Sequence, residues 1–95
     1  MTTAAPITTY RLTDHAQIAM ARRRIQVSDV DRVLSAPEQT ETVREGRVVY
    51  QARCPYGEPP IVYLLRVFVD VDRQLPAVVT VYRTSKITQY WRGTP

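Results

Sequence analysis

Residues 61–72, IVYLLRVFVDVD, restrict the fold more than any other stretch of the chain. β-branched and aromatic residues dominate the run, and its period is two. Ile61, Tyr63, Leu65, Val67, Val69 and Val71 fall on one side, which is wholly apolar. Val62, Leu64, Arg66, Phe68 and Asp70 fall on the other, which is mixed. That pattern predicts a central strand with one face on the core. Arg66, in mid-strand among apolar neighbours, needs a partner or an open face.

The flanking segments supply the rest of a sheet. TETVREGRVVYQAR, residues 40–53, reads as a hairpin folding near Glu45-Gly46. CPYGEPP, residues 54–60, reads as a loop, and RQLP, residues 73–76, as a turn. AVVTVYRT, residues 77–84, is the last long strand; SKITQYW either extends it or leaves as a short tail.

Upstream the period lengthens. Thr13 is placed to cap a helix over 14–24, with Asp14 in its first turn. On that helix His15, Ile18, Ala19 and Arg22 share a face, and Arg23 flanks it. Ser28 is placed to cap a second helix, DVDRVLSA, whose Val30, Val33 and Leu34 recur at helical spacing before Pro37 stops it. YRL, residues 10–12, reads as a short strand. Residues 1–9 are expected to be a flexible lead-in, and residues 10–95 one domain. The expected architecture is α+β: two N-terminal helices packed on a small antiparallel sheet of three to four strands. The uncovered sheet face would carry some of Arg47, Arg53, Arg66 and Arg83, depending on register.

Charge narrows the partners. Thirteen basic residues face nine acidic ones, a formal net charge of +4. Twelve of the basic residues are Arg and only Lys86 is Lys. Arginine presents a planar fork that fits phosphate and stacks on bases. The single cysteine, Cys54, allows no intrachain disulfide and no cysteine-based metal motif, which fits a reducing cytosol. The opening MTTAAPITTY has no basic region and no long apolar run, so no leader is expected. A cytoplasmic protein without a membrane span is the expectation, with no metal or other cofactor.

The stretch DHAQIAMARRRIQVSDVDRVLSAPEQT resembles the opening of the DUF4258 family. The matching residues are His15-Ala16, Met20, Arg23 with Ile25, and Val30, Val33, Leu34 and Pro37. VVTVYRTSK resembles the family's final strand. Arg24 stands where the family pattern has Gly, and Ala19 where Arg is common. The resemblance implies a RelE-like fold of the BECR type. It also implies a toxin-like, metal-independent ribonuclease or RNA-acting module, silenced by an acidic antitoxin.

Such cleavage needs a base for the ribose 2′-hydroxyl, a cationic clamp on the phosphate and an acid for the leaving oxygen. His15 is the candidate base or acid, and Arg23, Arg83, Lys86 and Tyr90 complete the expected catalytic set. Arg22, Arg66 and Tyr82 are the expected contacts to RNA phosphates or bases. Tyr63, within an apolar run, is expected in the core. The alternative is a non-enzymatic RNA- or protein-binding domain of the same fold. A third option is a homodimer through exposed strand edges and Trp91.

Overall fold

The computed structural model describes residues 4–93. The elements in chain order are β1 (Arg11–Leu12), α1 (Asp14–Arg23), α2 (Val27–Ser35), β2 (Gln39–Arg44), β3 (Arg47–Tyr56), β4 (Ile61–Asp70), β5 (Ala77–Thr84) and the short α3 (Ile87–Tyr90). The class is α+β, as expected, but the sheet is larger and mixed. Its five strands run in the order β1-β5-β4-β3-β2. β2 to β5 form an antiparallel meander, and β1 joins β5 in parallel. The expected three or four antiparallel strands are therefore corrected to five, because β1 reaches the far edge of the sheet before α1 begins.

Each helix is placed by its buried stripe. Thr13 caps α1, its Oγ1 accepting from the Ala16 N–H at 3.1 Å. Ala16, Ala19 and Met20 are buried, and the small residues among them let α1 lie close on β5. α2 starts earlier than its sequence implied. Gln26, not Ser28, occupies the cap, and the Gln26 N–H is accepted by the Asp29 carboxylate at 3.2 Å. Its Val30, Val33 and Leu34 are fully buried against β3 and β4.

The core lies between these helices and one sheet face. Tyr50, Ala52 and Cys54 of β3, Leu65, Val67 and Val69 of β4, and Val78 and Val81 of β5 meet the helices there. The hairpin at Glu45-Gly46 is present, with Gly46 at φ 83°. A Cβ at Gly46 would fall 2.5 Å from the exposed Asp72 carboxylate, which could swing aside, so it is the positive φ that favours glycine here. Of the expected loop 54–60, Cys54, Pro55 and Tyr56 belong to β3, paired with Tyr63, Val62 and Ile61.

Of the expected lead-in, residues 1–3 lie outside the described residues, as do residues 94 and 95 of the expected domain. Residues 4–10 are tethered: the Ala4 N–H donates to Thr40 Oγ1, the Ile7 N–H to the Leu34 carbonyl, and the Tyr10 hydroxyl to Asp31. No described helix is long and apolar enough to cross a membrane.

Candidate nucleic-acid interface

The pairing register decides which arginines share a face. Leu65 of β4 pairs with Arg83 of β5, so Arg83 stands on the helix-covered face with Leu65 and Val67. Arg66 pairs with Gln51 and Tyr82 and stands on the opposite face, together with Arg47 and Arg53. The sequence-predicted set thus divides into two groups on opposite sides of the sheet.

On the helix side, Arg22, Arg23 and Arg24 at the end of α1 meet Arg83 and Tyr63 around an open hollow of about 370 Å³. Among the described residues, none of the four arginines pairs with a carboxylate; the ion pairs present involve Arg32, Arg47, Arg53, Arg73 and Arg92. The Arg83 guanidinium lies 4.8 Å from the centre of the Tyr56 ring and 6.0 Å from that of Tyr63. The two tyrosines meet edge to face at 5.9 Å. Arg83 Nη1 and the Tyr56 hydroxyl are buried and have no hydrogen-bond partner among the described residues. Burial pushes the Tyr56 hydroxyl up to about 12, so it stays a proton donor at neutral pH.

Arg24 owes its position to the backbone. It closes α1 in the left-handed conformation, φ 57° and ψ 44°. Its N–H donates to the Ala21 carbonyl and the Ile25 N–H to the Met20 carbonyl. The left-handed turn breaks the helix after Arg23 and leaves Arg24 beside Tyr63 and Arg83 in the hollow lining.

His15 lies elsewhere on the same helix. It is exposed, beside exposed Ile18 and towards the start of α1, and is not among the residues lining the hollow. Seven residues separate it from Arg22, about 10 Å along the helix axis. The start of α1 is fixed near Val78 and Val79, and Arg83 follows Val79 by about 13 Å of strand. The imidazole and the Arg83 guanidinium therefore share a side of the sheet without meeting. The face expected to hold Ile18 with Ala19 is split, with Ala19 buried and Ile18 in solvent. Lys86 is exposed at the turn into α3, its N–H donating to Thr84 Oγ1, and lines neither this hollow nor the pocket on the other face.

On the opposite face the tail from α3 to Arg92 folds back across the sheet. Gln51 donates to the Tyr90 carbonyl at 3.2 Å, and Gln39 to the Arg92 carbonyl at 2.7 Å. The Arg92 guanidinium pairs with Glu41, and Arg53 lies 4.2 Å from the Trp91 ring. Arg66, Tyr82 and Tyr90 are together under this strap. Arg66 Nη1 donates to the Tyr82 hydroxyl at 2.7 Å, and its guanidinium lies 4.3 Å from the Tyr90 ring.

Sequence reasoning missed Arg24 and Tyr63 as lining residues. Tyr63 is half-buried at the rim rather than in the core, because the helices cover the middle of β4 and leave its first residues uncovered. No cluster of three or more potential metal ligands occurs among the described residues.

The sequence model of a family described as "Domain of unknown function (DUF4258)" matches residues 12–83. No curated protein and no solved structure matches the chain.

Proposed function

The chain belongs to the DUF4258 family, and from that footing we propose that it is an RNA-binding module. Its contact surface is the arginine hollow between α1 and β5. The observation that carries this reading is the gathering of Arg22, Arg23, Arg24 and Arg83 around one concavity with no carboxylate paired to any of them among the described residues. Four like charges repel one another, and a polyanion relieves that repulsion. A phosphate oxygen in the hollow would accept from the guanidinium groups that line it. Tyr63 at the rim offers a ring face to an unpaired base. The hollow therefore suits a single strand, whose bases are free to stack, better than a rigid duplex.

The cleaving form of this reading assigns His15 as base or acid and Arg22, Arg23 and Arg83 as the clamp, as in the toxin-like ribonucleases the sequence resembles. The separation of His15 from the hollow favours binding over cleavage. A carboxylate-rich protein such as an antitoxin would compete for the same guanidinium groups rather than bind beside the RNA.

The test is fluorescence anisotropy with a labelled single-stranded RNA of about a dozen nucleotides, run beside its DNA equivalent. The expected result is saturable RNA binding that Arg23→Gln with Arg83→Gln weakens by about tenfold or more. Unchanged affinity in that double variant would falsify the assignment. The same RNA incubated with EDTA, wild type and His15→Ala separates the two forms. Intact RNA supports binding alone, and cleavage lost in His15→Ala supports the ribonuclease.

A further inference from the structure

Outside the arginine hollow, one cation is buried among the described residues. Arg66 sits in the middle of β4 with 8% of its surface exposed. A charge so far from water requires compensation. Among the described residues no carboxylate pairs with it directly. What holds it is neutral. Gln51 Oε1 accepts from Nε at 2.9 Å and the Tyr82 hydroxyl from Nη1 at 2.7 Å. The rings of Tyr90, Phe68 and Tyr82 surround the guanidinium at 4.3, 5.3 and 5.7 Å. Two of the five N–H donors are thereby used, and the orientation of the fork is fixed.

The fork borders a pocket of about 440 Å³ lined by Glu41, Arg66, Gln89, Tyr90, Trp91 and Arg92. Glu41 is held by Arg92 through both carboxylate oxygens. With two guanidinium groups and one carboxylate, the pocket carries one uncompensated positive charge. We propose that this pocket is a receptor for a small monocarboxylate with a flat apolar body. The carboxylate would take the free donors of Arg66, and the body would lie against Tyr90 and Trp91.

Three features select that chemistry. A preorganised guanidinium fork matches the two oxygens of a carboxylate. One excess charge is neutralised by a monoanion, whereas the second charge of a phosphate dianion would meet Glu41. The Tyr90 and Trp91 rings stand in the lining beside the fixed polar groups, and the volume lies within the range of small-molecule sites. The site is on the opposite sheet face from the arginine hollow and shares no lining residue with it. The two assignments therefore stand or fall separately.

Trp91 is the only tryptophan of the chain and lines the pocket, so its emission reports occupancy. The experiment titrates the full chain with sodium benzoate, sodium acetate and sodium phosphate at pH 7, with ionic strength held constant by sodium chloride. A peptide ending in phenylalanine, with its terminus free or amidated, is the fourth arm. The expected result is a saturable emission change with benzoate below about 20 mM, weaker with acetate and absent with phosphate. Saturation by the free peptide but not its amide identifies a chain terminus as the source of the carboxylate; response to benzoate alone identifies a free acid. Arg66→Gln is expected to weaken benzoate binding by about tenfold or more, and Glu41→Gln to strengthen it several-fold. Glu41 is at the rim, so Glu41→Gln tests the pocket even where Arg66→Gln does not fold. No saturable response to benzoate, an equal response to phosphate, or unchanged affinity in Glu41→Gln overturns the proposal.

Discussion

Arg24 shows how one side chain can bear on both stability and binding. A non-glycine residue in the left-handed region costs about 1 kcal/mol relative to glycine, because its Cβ crowds the following carbonyl. Arg24 bears that cost at φ 57° and in return places a fourth guanidinium in the hollow. Arg24→Gly should therefore raise the stability by about 1 kcal/mol, seen as a melting temperature about 4–8 °C higher, and lower the RNA affinity. A calorimetric scan beside the anisotropy titration checks both signs, and a variant that moves them together would contradict this reading. Asp70 is the second residue with a measurable signature. It receives the Arg47 Nε–H at 2.7 Å and Nη2–H at 3.2 Å while 5% exposed. The Arg47 hydrogen bonds hold its carboxyl below the ordinary value of 3.8, against the opposing effect of burial. A carboxyl lowered in the folded state stabilises it fully above the unfolded value. That stabilisation is lost as pH falls from about 4 through the lowered folded value. Asp70→Asn should cost about 2 kcal/mol at pH 7, less than a fully buried pair because Arg47 is partly exposed. Its urea midpoint should also change less than that of the wild type between pH 4 and pH 2.

Among the elements, those with a strong period were legible and those without one were not. β4 was readable because β-branched and aromatic residues dominate its ten residues, and α2 because Val30, Val33 and Leu34 recur on one stripe. β1 was expected as a short strand over 10–12 and is present at Arg11–Leu12, but its parallel pairing with β5 is a tertiary choice that two residues cannot signal. The start of α2 was misplaced because it is the Asp29 carboxylate that accepts from the Gln26 N–H, while the Asp29 N–H donates to the Gln26 carbonyl, an arrangement that a search for serine or threonine caps passes over. The strap from α3 to Arg92 was left open between strand and tail because its anchors are Gln39, Glu41 and Gln51, some 40 to 50 residues earlier in the chain. The two long helices also differ in how they are held. α2 buries three aliphatic side chains completely, whereas two of the three buried residues of α1 are alanines. Leu34→Ala should cost about 3 kcal/mol through lost transfer energy and the cavity left behind. Ile18→Ala, on the solvent side of α1, should change stability by less than about 0.5 kcal/mol. Equilibrium urea unfolding of the two variants measures the contrast.

At the scale of the molecule, the sheet sorts its arginines by pairing register, and this was the least legible property of the sequence. A shift of one residue between β4 and β5 would have carried Arg83 to the strap side and away from α1. The sequence positions of Arg22, Arg23, Arg66, Arg83 and Lys86 are compatible with one cationic surface or with two. The pairing of Leu65 with Arg83 gives two: an unpaired cluster beside the helices, and a caged guanidinium under the strap. Only the first should dominate contact with a polyanion, because the second is covered by Tyr90 and borders the Glu41 carboxylate. The dependence of RNA affinity on salt separates these contributions. Four phosphate contacts on a single strand give a slope of log affinity against log salt of about −3, since each contact contributes about −0.7. Arg83→Gln should make that slope shallower by about 0.7, and Glu41→Gln, which alters only the strap side, should leave it unchanged. A wild-type slope near zero would remove the electrostatic basis of the interface. A slope altered by Glu41→Gln would show that the two faces of the sheet act on the strand together.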